Sequence, residues 1–485
     1  MRGRAVMVCG TTSGAGKSFL TTALARWYAR EGFRVAPFKA QNMSNNARVV
    51  AGGEMGSAQY FQALAARCVP DVRMNPVLLK PETDTRSQVV LLGKPDAELS
   101  RMEWRHRSAL LWPTVTSSLD ALIAEFDVVV IEGAGSPAEI NLSASDIVNM
   151  RVAEHARAAT LLVCDIDRGG AFAHLFGTHQ LLSPAHRALL RGFVLNKFRG
   201  DATLLAPGPA MLEERTGVPL AGVLPMWRDH GLPEEDGVFD AEIGDSGEAR
   251  TGALKVAIVG YPRISNLDEL TALLRVPRVS VRWARREDTI RSADLLILPG
   301  SKHVAADLAW LRSTGLDAAI LAHVAQDKPT LAICGGLQML GHEVRDAHGV
   351  EGGVPATTRG LGALPLRTEY DDAKQCERGR YTFVPKLEGF WRELGGLTFD
   401  AYEIHHGRTE VVSEVAPAID GGVGWQRGQT LAIYTHGLFE NSAALRALFG
   451  HDVPSLDDTL DGLADFVDRH IGRTRLLSLL DARER

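Results

Sequence analysis

Long hydrophobic runs are missing from this sequence. No apolar stretch approaches the ~20 residues that a membrane-spanning helix needs, so the chain does not read as a membrane protein. Cysteine is sparse. Cys9, Cys68, Cys164, Cys334 and Cys376 are scattered, odd in number and without metal-ligand spacing, which excludes a disulfide framework and points to a reducing, cytoplasmic setting. Charge of one sign is scarce as well: a net charge of -6 argues against a dedicated nucleic-acid binder, which would carry a basic patch. Lysine contributes only ten of the 53 basic residues, a bias that reads as codon usage. Internal repeats and low-complexity tracts are lacking too. The start, Met1-Arg2-Gly3-Arg4, leads through a short apolar stretch straight into a Gly-rich loop, as expected of a first β-strand and not of a secretory signal.

What is present is an alternation of short β-branched runs with longer amphipathic stretches, the pattern of a parallel sheet covered by helices. At about 150 residues per domain, 485 residues make three domains or two large α/β units. Strands are expected at Ala5–Cys9, Val35–Phe38, Val128–Glu132, Leu161–Asp165, Gly192–Asn196 and Ala221–Leu224. Their nearly continuous apolar character fits strands buried on both faces. A helix should run from Lys17 to Arg30 and stop at Gly32. Residues 230–253 turn to Gly, Asp and Glu with few large apolar side chains and read as a linker. A second alternating region follows, with strands at Lys255–Val259, Val279–Trp283, Leu295–Leu298, Leu331–Ile333 and Leu431–Tyr434. Within it Thr357–Gly396 is irregular, with antiparallel strands or loops expected. The division is therefore 1–229, a linker at 230–253, 254–450, and a helical segment at 451–485 whose apolar residues recur at three and four.

Gly10-Thr11-Thr12-Ser13-Gly14-Ala15-Gly16-Lys17-Ser18 lies between the first strand and the first long helix. Backbone N–H groups of such a loop, with the helix N-terminus, cradle phosphates. Lys17 would reach the β- and γ-phosphates of ATP and Ser18 would bind Mg²⁺. The strict pattern has Gly where Thr11 stands, so this is a variant loop, with Gly10, Thr11, Gly14 and Gly16 as its nucleotide-contacting backbone. Glu132, at the carboxyl end of an apolar strand, is placed to bind Mg²⁺ directly or through water; Asp127, at the strand's start, is placed to cap it. Lys39 ends the second strand on the same ligand-facing edge and would stabilise a phosphoryl group in transfer. Asn196, after a later strand, offers an amide to the nucleotide base.

Leu331-Ala332-Ile333-Cys334-Gly335-Gly336-Leu337-Gln338 reads as strand, sharp turn with Cys at its tip, then helix. A nucleophile at such an elbow is exposed at a helix N-terminus that favours thiolate. The N–H of Gly335 and the loop holding Gly300 would supply an oxyanion hole. Cys9 and Cys164, inside apolar strands, read as core. The base would be His436, after a late strand, with His405 and His406 as competitors.

Cys-Gly-Gly-x-Gln-Met-Leu at 334–340 with Tyr-x-His-Gly-Leu-Phe at 434–439 resembles the glutaminase domain of class I glutamine amidotransferases. The amino-terminal half resembles dethiobiotin synthetases, with the same longer phosphate loop and a Glu-Gly-Ala-Gly strand end at 132–135. Ala36–Met43, Arg73–Pro81, Glu132–Leu142, Asp165–Gly170, Ser301-Lys302 and Tyr402–His405 together look like the cobyric acid synthase family, over nearly the whole chain. The resemblance implies two doubly wound α/β domains with mainly parallel sheets, P-loop NTPase-like and then class I glutaminase-like. It implies ATP- and glutamine-dependent amidation of the b, d, e and g carboxylates of adenosylcobyrinic acid a,c-diamide, in cobalamin biosynthesis. Substrates would be a corrinoid carboxylate and glutamine, with ATP and Mg²⁺, no tightly bound prosthetic group, no nucleic acid and no membrane. Gln41 and Asn42 would lie at the acceptor site beside Lys39. The third member of the glutaminase triad stays open: Glu440 stands four residues after His436 rather than two. The rivals are a cobyrinic acid a,c-diamide synthase, with other carboxylates, a P-loop regulatory ATPase with a non-catalytic carboxyl half, and a dethiobiotin-synthetase-like ligase fused to a dead glutaminase, against which the intact Cys334 and His436 argue.

Overall fold

The computed structural model of the chain describes residues 3–83, 86–228, 230–233, 253–351 and 353–481. Most of the linker expected at 230–253 lies outside the described residues.

Six parallel strands form the first sheet, in the order Leu220–Pro225, Leu190–Phe198, Ala159–Asp165, Arg4–Gly10, Val128–Glu132, Val35–Phe38. The strand cores are Val, Ile, Leu, Phe, Met and Cys with no exposed surface, because helices cover both faces. The expected strands at Val35–Phe38 and Val128–Glu132 and the helix Lys17–Arg30 have the predicted bounds. The helix stops as Gly32 enters a left-handed conformation at φ +91°. The strand Arg4–Gly10 is flanked on both sides, so the loop after it opens at the carboxyl edge of the sheet centre, where open α/β sheets bind ligands.

The second sheet runs Val279–Ala284, Leu254–Val259, Leu295–Leu298, Thr330–Ile333 and Thr430–Ile433, all parallel, then Gly424–Arg427 and Ala416–Ile419 antiparallel. The irregular stretch 357–396 contains a long strand, Leu366–Thr382, paired antiparallel with Thr398–Val411 across a bulge between Tyr370 and Gln375. This hairpin meets the first domain: Tyr402 and Ile404 bury against Ala47, Val49, Leu78 and Val90.

The carboxyl-terminal helices Leu456–Ile471 and Arg473–Ser478 return to the first domain. Leu460, Leu463, Ala464 and Val467 join its core. Trp27 donates its indole N–H to Asp468 (3.0 Å), Tyr28 its hydroxyl to the Leu476 carbonyl (2.7 Å), and Arg30 pairs with Asp465 (2.7 Å). The helix begins with a capping box, in which Ser455 and Asp458 satisfy each other's backbone N–H groups.

Candidate functional site

The phosphate loop folds as its glycines dictate. Gly14 and Gly16 stand at φ +71° and +98°, and a Cβ on Gly16 would fall 2.0 Å from Asn196 Nδ2, so only glycine closes this turn. Gly10 ends the strand against the Lys17 stem, and Thr11 is held by its N–H on the Val163 carbonyl (2.9 Å). The Thr11 side chain is buried beside Cys164. Lys17 folds over the loop, donating to the carbonyls of Thr12 (3.1 Å) and Gly135 (3.2 Å). Asn196 donates to the Ala15 carbonyl (2.9 Å), and Lys197 to that of Gly14 (2.8 Å). Asn196, expected at the base, braces the loop.

Around Glu132 the expected residues converge. Ser18 donates to Oε1 at 2.9 Å and the Lys39 ammonium sits on the same oxygen at 2.8 Å. Gln62, which sequence reasoning passed over, donates to Oε2. Burial alone would raise the Glu132 pKa; Lys39, Gln62 and Ser18 outweigh it and hold the group below the ordinary carboxylate range. Asn42 is buried and donates to Gln59 (3.1 Å), one turn before Gln62 on the helix Ser57–Ala65, while Gln41 is half-buried on the short strand before it. Asp127 stays away from this cluster, binding the N–H and guanidinium of Arg34 (2.9 and 2.8 Å).

Hard oxygen donors at Ser18 and Glu132, beside a helix N-terminus, fit the Mg²⁺ of a bound nucleotide.

Three neighbouring strand ends build the second site. Thr330–Ile333 delivers Cys334, Leu295–Leu298 delivers Gly300, and Thr430–Ile433 delivers His436. Cys334 has φ +50° and ψ -106°, the strained elbow its Gly flank foretells. The strand-end loops press together: a Cβ on Gly335 would lie 2.6 Å from Ser301 N, and one on Gly300 3.0 Å from the His436 ring. His436 is fully buried, its Nδ1 2.7 Å from Glu269 Oε1, while Glu269 Oε2 accepts the Gly437 N–H at 2.7 Å. The other side-chain partner of the ring is Cys334. Burial opposes charge on this ring, but Glu269 and the Cys334 sulfur overcome it and push its pKa up to about 10.

Glu269, and not Glu440, therefore orients His436. It comes from the 3₁₀ segment Leu267–Arg275, far upstream in sequence. Glu440 turns to Arg48 (2.5 Å). The competing histidines line the Cys334 pocket without reaching that role. His405 binds Glu403 (3.0 Å) and the Gly407 carbonyl (2.8 Å); His406 contacts the Asp371 carbonyl (3.1 Å), and burial and Lys374 push it down to about 4.

The pocket above Cys334 has walls from both domains: Asn45, Lys80 and Gln88 from the first; Lys302, Gln338 and Lys374 from the second. Lys302 donates to Gln88 (2.9 Å). Buried Glu54 accepts from both Lys80 and Lys374, and the two cations hold its pKa far down despite burial. Burial pushes Lys80 down to about 7.

Residues 6–236 match the CobQ/CobB/MinD/ParA nucleotide binding domain, and residues 255–444 match the CobB/CobQ-like glutamine amidotransferase domain. The chain is 57% identical to a cobyric acid synthase of Polaromonas sp. (strain JS666 / ATCC BAA-500), over 98% of each chain. It is 61% identical to one of Variovorax paradoxus (strain S110), over 97% of this chain and 98% of the other. A third, of Leptothrix cholodnii (strain ATCC 51168 / LMG 8142 / SP-6), is 58% identical over 99% and 98%.

Proposed function

The chain belongs to the cobyric acid synthase family, a family of glutamine-hydrolysing carbon–nitrogen ligases, and from that premise we propose how its two sites divide the work. The first domain binds ATP and the second takes ammonia from glutamine. The acceptors are the b, d, e and g side-chain carboxylates of adenosylcobyrinic acid a,c-diamide.

A carboxylate is a poor acyl donor. Its oxygen attacks the γ-phosphorus of ATP, ADP leaves, and an acyl phosphate results. The loop amides from Gly10 to Gly16 and the Lys17 ammonium hold the phosphates. Lys39, beside Glu132, offsets the charge on the phosphoryl group in flight. Mg²⁺, held by Ser18 and Glu132, would supply further charge stabilisation at the phosphate oxygens. Gln41 and Asn42 face the acceptor.

In the second domain the Cys334 sulfur attacks the glutamine side-chain carbonyl carbon and His436 takes up the thiol proton. The N–H groups at Gly335 and the Gly300 loop stabilise the oxyanion. His436 then returns the proton to the departing nitrogen, ammonia leaves, and water hydrolyses the thioester. Ammonia attacks the acyl phosphate and phosphate departs. Glu269 keeps the ring oriented and basic.

The observation that supports this reading is the Cys334 pocket, which is lined by residues of both domains, so that ammonia formed there would be released against the ligase domain. The test is mass spectrometry of adenosylcobyrinic acid a,c-diamide incubated with the protein, ATP, Mg²⁺ and glutamine. Each carboxylate-to-amide conversion lowers the mass by about one dalton. Four conversions are expected, with ammonia replacing glutamine. No conversion by folded protein that still hydrolyses ATP rules out this substrate.

A further inference from the structure

Arg48 belongs to the ligase domain, and its side chain is buried between the domains: over Phe61 (4.9 Å) and Tyr60 (5.6 Å) of its own domain, and on Asp268, Glu440 and the Tyr402 ring (5.1 Å) of the glutaminase. Each of these glutaminase groups flanks the His436–Glu269 pair. Asp268 precedes Glu269 in the same 3₁₀ turn. The Tyr402 ring stacks on His436 at 5.3 Å and 20°, and the two backbones exchange hydrogen bonds of 3.2 and 2.8 Å. Glu440 closes the turn that follows His436. The preceding ligase residues add backbone ties. Asn46 Oδ1 accepts the Leu267 N–H (2.9 Å), and Asn266 donates to the Ala47 carbonyl (2.9 Å) and the Tyr402 hydroxyl (2.7 Å).

We propose that Arg48 is a positioning residue of the glutaminase, holding the Glu269–His436 pair in register with Cys334 from across the domain boundary. The proposal rests on the two-site reading above. A buried ion pair is a weak device for stability, and this one leaves Arg48 Nε and Asp268 Oδ1 without partners among the described residues. Its geometry instead ties together three glutaminase elements, the turn at Asp268, the strand at Tyr402 and the turn at Glu440. Without the guanidinium, Asp268 and Glu440 stand beside Glu269 as uncompensated carboxylates, and repulsion moves the turn that carries the acid of the triad.

The experiment uses the full chain and measures glutamate release from glutamine together with ammonia-dependent amidation. Arg48→Met lowers kcat for glutamate release by about ten- to a hundredfold with KM for glutamine nearly constant, as expected for lost transition-state alignment. Ammonia-dependent amidation stays near wild type, and Arg48→Lys recovers part of kcat. Unchanged kcat in folded Arg48→Met overturns the proposal, and so does an equal loss of ammonia-dependent amidation. If Arg48→Met does not fold, Glu440→Gln removes one partner without stranding the guanidinium. A several-fold fall in kcat alone then supports the proposal, and none overturns it. Failure of the wild type to amidate would sink the substrate reading, whereas glutamate release still reports on Arg48.

Discussion

The two reactive centres of this chain are built on the same plan, at the carboxyl edges of parallel sheets, and differ in who supplies their support. The ligase centre is self-sufficient: Lys17, Ser18, Lys39, Gln62 and Glu132 all come from its own sheet and adjoining helices. The glutaminase centre is not. Its acid sits on a turn tied to Asn46, Ala47 and Arg48, and its pocket is completed by Asn45, Lys80 and Gln88. The lesson is one of dependence. The domain that makes ammonia is shaped at its reactive centre by the domain that uses it.

The largest expected effect sharpens that division. Cys334→Ala removes the nucleophile and should abolish glutamine-dependent amidation, by about a thousandfold or more, while sparing ammonia-dependent amidation. Product analysis with each nitrogen source checks it. Next, Glu132→Gln should lower amidation with both nitrogen sources by about a hundredfold or more, because it removes the charge that Ser18 and Lys39 converge on. Retention of ammonia-dependent turnover in that variant would break the comparison.

Glu269→Gln should reduce glutamate release by about ten- to a hundredfold, and the His436 pKa should fall from about 10, followed by NMR titration. The sign extends to stability. A histidine whose folded pKa lies above its unfolded value of ~6.5 contributes stability that is whole below that value and lost as pH rises through the folded pKa. The gap between wild type and Glu269→Gln in urea midpoint should therefore be wider at pH 7 than above pH 10. The smallest effect belongs to Asp127→Asn. Among the described residues that carboxylate accepts hydrogen bonds from Arg34 at the surface, far from either site, so both activities and the melting temperature should stay at wild-type values.

Much of this was legible in the chain. Val35–Phe38, Val128–Glu132 and Leu295–Leu298 are strands at the expected residues because a continuous apolar run bounded by polar turns has few other ways to bury itself. The Lys17 loop and the Cys334 elbow announce themselves through glycines that the backbone requires. Glu269 gave no such sign. It lies in another segment from His436, and nothing local marks an acid that becomes functional only when two loops meet. Gln62 and Gln59 are neutral side chains on a helix, and their spacing says nothing of the carboxylate above them. The long hairpin was hidden by its polarity: Arg367–Thr382 alternates charged and half-buried residues because much of it faces solvent or a polar pocket. Amphipathic spacing revealed the helix Leu456–Ile471, but spacing cannot name the surface that a helix will cover.

That last helix sets the order of translation against the order of folding. The core of the ligase domain is not complete until the residues that follow the glutaminase have been made, since Leu460, Leu463 and Val467 fill one side of it. The glutaminase, encoded between them, has all of its strands in hand earlier. On the ribosome the middle of the chain should mature first. The nascent ligase should keep the apolar face of Lys17–Arg30 open until Leu456–Ile471 emerges, so a ribosome stalled before codon 456 would display a protease-sensitive ligase domain beside a resistant glutaminase.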